Sequence, residues 1–172
     1  LVESLEDEYI FYQHDTNGFV YYVSPSVTHI LGHTITGFGD YYSKFLTDNP
    51  RNAKIADYTK RILAGEHLPP FEIEMYDTKG NIHTFEVLER PMHDTEGNCI
   101  GCEGIAHDVT SRKQQQDELY QLSHYDELTG LVNRYFFKLL LDDEIESCQK
   151  NQQPLALLFL DLTRFKVIND TF

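Results

Sequence analysis

The sequence has 172 residues, which allows one domain or a domain plus part of another and is enough to bury a real core. Hydrophobic residues make up 41% and charged residues 24%, ordinary globular usage, but 28 acidic against 14 basic side chains leave a formal net charge of -14. A surface that acidic repels phosphate backbones and anionic lipid, which excludes general nucleic-acid binding while leaving room for a local basic pocket that takes one nucleotide.

Residues 1–7 read as the tail of an acidic helix, and no basic stretch followed by an apolar core opens the chain. A cytoplasmic protein is expected, with an anchor upstream of Leu1 left open. Tyr9 to Tyr12 and Phe19 to Val23 are rich in aromatic and β-branched residues and are expected as strands. Between them lies Asp15-Thr16-Asn17-Gly18, a pattern that returns as Asp77-Thr78-Lys79-Gly80 and Asp94-Thr95-Glu96-Gly97. Asp bonds its own backbone two residues on and Gly accepts a positive φ, so each segment is expected to close a hairpin.

Ser24-Pro25 offers an N-cap with proline in the first turn of a short helix through Val27, Ile30 and Leu31, which Gly32 ends. A longer helix is expected from about Pro50 to Ala64, with Ile55, Tyr58, Ile62 and Leu63 on one face and Gly65 closing it. Phe71, Ile73 and Met75 then alternate with Glu72, Glu74 and Tyr76, and Ile82 to Leu88 and Ile100 to Val109 complete five strands. Three cysteines, Cys99, Cys102 and Cys148, make no disulfide framework and indicate a reducing compartment. Cys99 and Cys102 form a lone C-x-x-C without a second half, so they are expected as core or hairpin residues rather than metal or redox ligands. The eight histidines show no ligand spacing and are expected mostly at the surface.

The order of two strands, short helices, a longer helix and three strands, with Tyr22-Val23-Ser24-Pro25-Ser26-Val27, Ile30-Leu31-Gly32 and the closing Asp108-Val109-Thr110, resembles PAS (sensory box) domains over residues 8–110. The resemblance implies an α+β fold: a five-stranded antiparallel sheet with flanking helices that encloses a small ligand. The ligand itself is unknown, and haem, flavin, a small organic acid and none all stay open. No N-C-R-F-L-Q-like sequence supports flavin–cysteinyl photochemistry, and the long helix has no histidine for haem, His67 just beyond it being the nearest.

Residues 111–124 contain no Gly or Pro and are expected as a helical signalling linker, with Val109, Leu119 and Leu122 along a seam that pairs with a second copy. Next, Asp126-Glu127-Leu128-Thr129-Gly130-Leu131-Val132-Asn133-Arg134 resembles the D-x-L-T-G-L-x-N-R segment that opens GGDEF (diguanylate cyclase) domains. Residues 125–172 are accordingly expected as the N-terminal fragment of that α/β domain. Asn133 to about Gln149 reads as an amphipathic helix with Phe136, Phe137, Leu140, Leu141, Ile145 and Cys148 facing a core. After a break at Gln152-Gln153-Pro154, the apolar run Leu155 to Leu160 suits a strand buried on both faces and is far short of the roughly 20 residues that cross a bilayer, so no membrane segment is visible.

Asp161 follows that run. A carboxylate at a strand end can hold Mg²⁺ against phosphates, and taken alone it is equally a strand-terminating residue. Leu162 to Phe172, however, resembles the D-L-D-x-F-K-x-I-N-D-x-F segment of GGDEF enzymes. The resemblance implies Mg²⁺ ligation by Asp161 and the Leu162 backbone carbonyl, a phosphate-facing turn lined by Phe165 and Lys166, and a guanine-edge hydrogen bond from Asn169. It further implies two GTP molecules joined into cyclic di-GMP by a homodimer paired through the PAS domain and the linker. Thr163 stands where the family has a second Asp, and the G-G-D/E-E-F hairpin is not within these residues, so this stretch is expected to be inactive by itself. The alternative is an inactive GGDEF remnant that serves as nucleotide receptor or scaffold, with the PAS domain as the working part.

Overall fold

A computed structural model describes residues 8–160. Five strands, β1 (Tyr9–Asp15), β2 (Val20–Val23), β3 (Phe71–Tyr76), β4 (Ile82–His93) and β5 (Cys99–Asp108), form one antiparallel sheet in the order β2-β1-β5-β4-β3. The first and last strands are thereby neighbours at its centre. The connection from β2 to β3, which is from one sheet edge to the other, carries α1 (Ser26–Ile30) and α2 (Ile55–Leu63).

The three D-T-x-G segments close the hairpins β1–β2, β3–β4 and β4–β5. In each, one Asp oxygen accepts two backbone N–H groups: Asn17 and Phe19 on Asp15, Lys79 and Asn81 on Asp77, Glu96 and Asn98 on Asp94. Gly18, Gly80 and Gly97 all sit at φ 85, the conformation for which glycine was needed. These bonds hold the Asp77 carboxyl below its ordinary range, the Asn81 side chain contributing most, and the Asp94 carboxyl likewise through Asn98.

Two local expectations change. The Ser24 hydroxyl does not cap α1; it accepts from the Phe11 N–H at 2.9 Å and bonds Ser26 Oγ at 2.6 Å. Ser24 is buried against β1, where its backbone N–H also bonds the Phe11 carbonyl, so it extends the β1–β2 ladder. The helix expected from Pro50 is also divided: Pro50–Lys54 is a 3-10 turn and α2 begins at Ile55. The cause is Asn52, which turns inward and pairs with the Glu74 backbone of β3, Nδ2 donating to the carbonyl at 2.9 Å and Oδ1 accepting the N–H at 3.0 Å.

The core lies between the helices and one face of the sheet. Period-two alternation brings Ile10, Val20, Ile73, Phe85, Val87 and Ala106 to that face, and Val27, Leu31, Ile55 and Ile62 cover them. At roughly 1.5–3 kcal/mol for each large apolar side chain fully buried, this layer is the main source of stability.

The chain divides into two compact units, with the boundary between Gln116 and Asp117. It falls within α3 (Thr110–His124). In the second unit, Asp126 Oδ1 accepts from the Thr129 N–H and hydroxyl, Gly130 turns at φ 67, and the Asn133 side chain caps α4 (Arg134–Asn151) by accepting from the Phe136 N–H. Phe136 packs edge-on against His124 and Tyr125. Gln152, in the left-handed conformation, ends α4. Of the expected core face of α4 only Cys148 is buried, while Phe137, Leu140 and Ile145 remain exposed. Residues 155–160 form no strand. A strand needs ladder partners, and among the described residues of this unit there are none. No helix among the described residues is long and apolar enough to cross a membrane.

Candidate functional site

The inner face of the sheet and α2 surround a cavity of about 40 Å³, lined by apolar side chains including Ile10, Val20, Phe38 and Met75, with Tyr12, Tyr42 and Glu89 as its polar members. That is space for a few water molecules. A haem or flavin does not fit this conformation. His67 is exposed in the loop before β3 and is not among the lining residues.

At the polar end, the central strands bring together groups that lie far apart along the chain and share no motif. His14 on β1 and Cys102 on β5 are opposite one another in the ladder and are both 0% exposed. Glu89 on β4 completes the cluster with its side chain 7% exposed, and its Oε1 lies 3.5 Å from His14 Nε2. Donor atoms of the three residues lie within 4.8 Å of one another. His14 Nδ1 is 2.7 Å from the Asp15 carbonyl, which fixes a proton there, and Tyr12 donates its hydroxyl to Glu89 Oε1 at 2.6 Å. His14 Nε2 and Glu89 Oε2 have no hydrogen-bond partner. Burial opposes a charge on His14, but Cys102, Glu89 and the Asp15 carbonyl outweigh it and push its pKa up to about 10. Burial, reinforced by Glu89, raises Tyr12 well above the ordinary phenol value and keeps it a donor.

Gly104 makes this reach possible. It stands on β5 directly between Tyr12 and Glu89 in the two ladders, and a Cβ there would lie 2.5 Å from Tyr12 Cζ and 3.0 Å from Glu89 Cγ. Extending the alternation Ile10, Tyr12 by one step would have placed His14 inside; the strand was expected to end at Tyr12. Cys99 and Cys102, three residues apart on a strand, fall on opposite faces and form no chelating pair.

A second polar arrangement joins the sheet to α3. Asp108 accepts from the Thr110 N–H and hydroxyl through Oδ1 and meets His83 Nδ1 through Oδ2 at 2.7 Å. Thr110 Oγ1 in turn accepts from the Thr84 N–H at 2.9 Å, and the Val109 N–H bonds the Thr84 carbonyl at 2.9 Å. Val109, expected on the linker seam, is instead 1% exposed and belongs to the core. Lys113 reaches Glu72 on β3 at 2.6 Å and lowers its carboxyl pKa. Leu119 and Leu122 stay exposed.

The nucleotide and metal residues expected near the C-terminus, Asp161, Leu162, Phe165, Lys166 and Asn169, lie outside the described residues, as do Thr163 and residues 1–7.

The strand order, the helical crossover between sheet edges and the small cavity between them define the PAS class of α+β domains. Residues 6–114 match the family model described as "PAS fold", and the chain belongs to that family. Residues 123–172 match "Diguanylate cyclase, GGDEF domain", so the PAS domain is followed by a GGDEF segment. A diguanylate cyclase of Vibrio cholerae is 30% identical over 96 residues, 55% of this chain and 30% of that protein. The cyclic di-GMP phosphodiesterase NbdA of Pseudomonas aeruginosa is 45% identical over 53 residues, 31% of this chain and 7% of its own length. The chain thus spans less than a third of the curated relatives it matches. Among solved structures, the N-terminal domain of a diguanylate cyclase with PAS/PAC sensor from Marinobacter aquaeolei superposes with TM-score 0.54 at 11% identity, covering 62% of this chain and 99% of that one. At that identity the likeness speaks to the fold.

Proposed function

We propose that this chain is the sensing and transmitting part of a signalling protein in which a PAS domain regulates a C-terminal GGDEF domain that makes cyclic di-GMP from two GTP. The observation that carries the proposal is the Asp108-Val109-Thr110 junction: the central strand β5, whose inner face borders the cavity, runs without a loop into α3, and α3 continues toward the Asp126 turn of the GGDEF segment. A ligand that shifts β5 therefore acts on the start of the linker helix. Homodimerisation along Leu119 and Leu122 would turn that shift into a change in how two GGDEF half-sites meet, a two-state coupling of the kind allostery requires. In the GGDEF segment, Asp161 and the Leu162 carbonyl would hold Mg²⁺, and Phe165, Lys166 and Asn169 would hold GTP.

The test is cyclic di-GMP formation from GTP and Mg²⁺ by the full-length protein with two residues inserted after Gln116. The insertion rotates the helix phase by about half a turn and should change the rate at least about tenfold; an unchanged rate would sink the proposal. A second reading rests on Thr163, which removes one acidic oxygen from the expected metal site: the GGDEF domain then binds nucleotide without turnover. Restoring the carboxylate with Thr163→Asp separates the readings, since a competent enzyme is already active without it.

A further inference from the structure

We infer that His14, Glu89 and Cys102 form a buried binding site for a divalent transition-metal ion of the zinc class within the PAS core. The inference is independent of what the GGDEF domain does. The donor set is one imidazole nitrogen, one carboxylate oxygen and one sulfur, with the three donor atoms already within 4.8 Å of one another. Tetrahedral zinc bonds of about 2.0–2.3 Å need donors roughly 3.5 Å apart, so the side chains close by about an ångström.

The way the ligands are held carries the inference further than their proximity does. Each of the two hydrogen-bonding ligands has one atom tied down and the other free. His14 gives Nδ1–H to the Asp15 carbonyl and turns Nε2 toward Glu89, 3.5 Å from Oε1, where an ion would replace the Nε2 proton; Glu89 accepts from Tyr12 on Oε1 and leaves Oε2. A second polar group orienting each ligand is the usual outer shell of a protein metal site. A proton on Nε2 answers only half of this arrangement, because Glu89 Oε2 still has no protein partner. A dication meets both orphan atoms, and the carboxylate with a Cys102 thiolate cancels its charge, so the burial leaves no net charge uncompensated.

Three protein ligands leave a fourth position, and Glu89 and Tyr12 also line the cavity. An ion with three protein donors and one exchangeable position can take a small anionic or neutral oxygen, nitrogen or sulfur ligand there. The site would thus give an otherwise apolar cavity one strongly directional contact for a small ligand.

The experiment titrates the chelator-stripped chain with Co²⁺, then with Zn²⁺ as competitor. One equivalent of Co²⁺ should bind with a sulfur-to-cobalt charge-transfer band, and one equivalent of Zn²⁺ should abolish it. Cys102→Ser should remove the charge-transfer band, and His14→Ala should weaken binding beyond the roughly 10- to 100-fold expected for loss of an outer-shell partner. Cys99→Ser and Cys148→Ala should change neither. Far-UV circular dichroism establishes that each variant is folded. The inference is overturned if the wild-type chain, which needs no substitution to be judged, takes up no stoichiometric Co²⁺, or if its charge-transfer band survives Cys102→Ser.

Discussion

Gly104 shows how one missing side chain determines a site. With only a hydrogen at that position, Tyr12 and Glu89 meet across the intervening strand; a methyl group would stand 2.6 Å from the Tyr12 hydroxyl oxygen. Gly104→Ala is therefore expected to destabilise the fold by about 1–3 kcal/mol, the usual cost of overpacking, visible as a lower urea midpoint. Tyr12→Phe tests the hydrogen bond without the clash: Co²⁺ affinity should fall roughly 10- to 100-fold as Glu89 loses its orientation, while the circular dichroism spectrum stays unchanged. Asn52→Ala should cost about 2–4 kcal/mol in the same urea experiment, because it strips buried partners from the Glu74 backbone and the Thr47 carbonyl. The inward face of His14 was within reach of the strand alternation, but neither its partners nor those of Asn52 were legible in the sequence. Their roles depend on which strands become neighbours, and a β1–β5 pairing some 90 residues apart leaves no local trace.

The hairpins, by contrast, were readable, because their chemistry is contained within four residues. Asp, Gly and the residues between them satisfy one another whatever surrounds them, and the bonds appear where D-T-x-G predicts them. A pH dependence follows. The folded-state pKa values of Asp77 and Asp94 are depressed, so their contribution is fully present above the unfolded carboxylate pKa and is lost as pH falls through the folded values. Urea midpoints of the wild type should exceed those of Asp77→Asn and Asp94→Asn at neutral pH, with the gap narrowing under acid conditions. A gap that is constant with pH would show that ionisation is irrelevant. The helix expected from Pro50 is α-helical from Ile55 to Leu63, and only its first five residues wind as a 3-10 turn, since propensity carries no information on whether Asn52 faces solvent or a strand. The 155–160 run shows the converse: its apolar pattern is strand-like, but a strand needs neighbours to exist.

For the molecule as a whole, composition carried the broadest message. A net charge of -14 spread over two compact units implies self-repulsion in the folded state. Raising ionic strength from low to physiological values screens it and should raise the thermal midpoint of the chain. A salt-independent midpoint would mean that local pairs such as Arg51 with Glu72 and Lys113 with Glu72 already neutralise what matters. The succession of a PAS and a GGDEF family segment was legible in ordered motifs, and the family matches at residues 6–114 and 123–172 bear it out.

Val109 has a consequence for how such modules are joined to outputs. Because it is locked into the core between Asp108 and Thr110, the angular origin of α3 is fixed by the sheet and is not adjustable along the helix. The junction works like a keyed shaft. On the proposed signalling role of α3, domain exchanges should preserve signalling when the residue count from Val109 changes by whole heptads and lose it at other lengths.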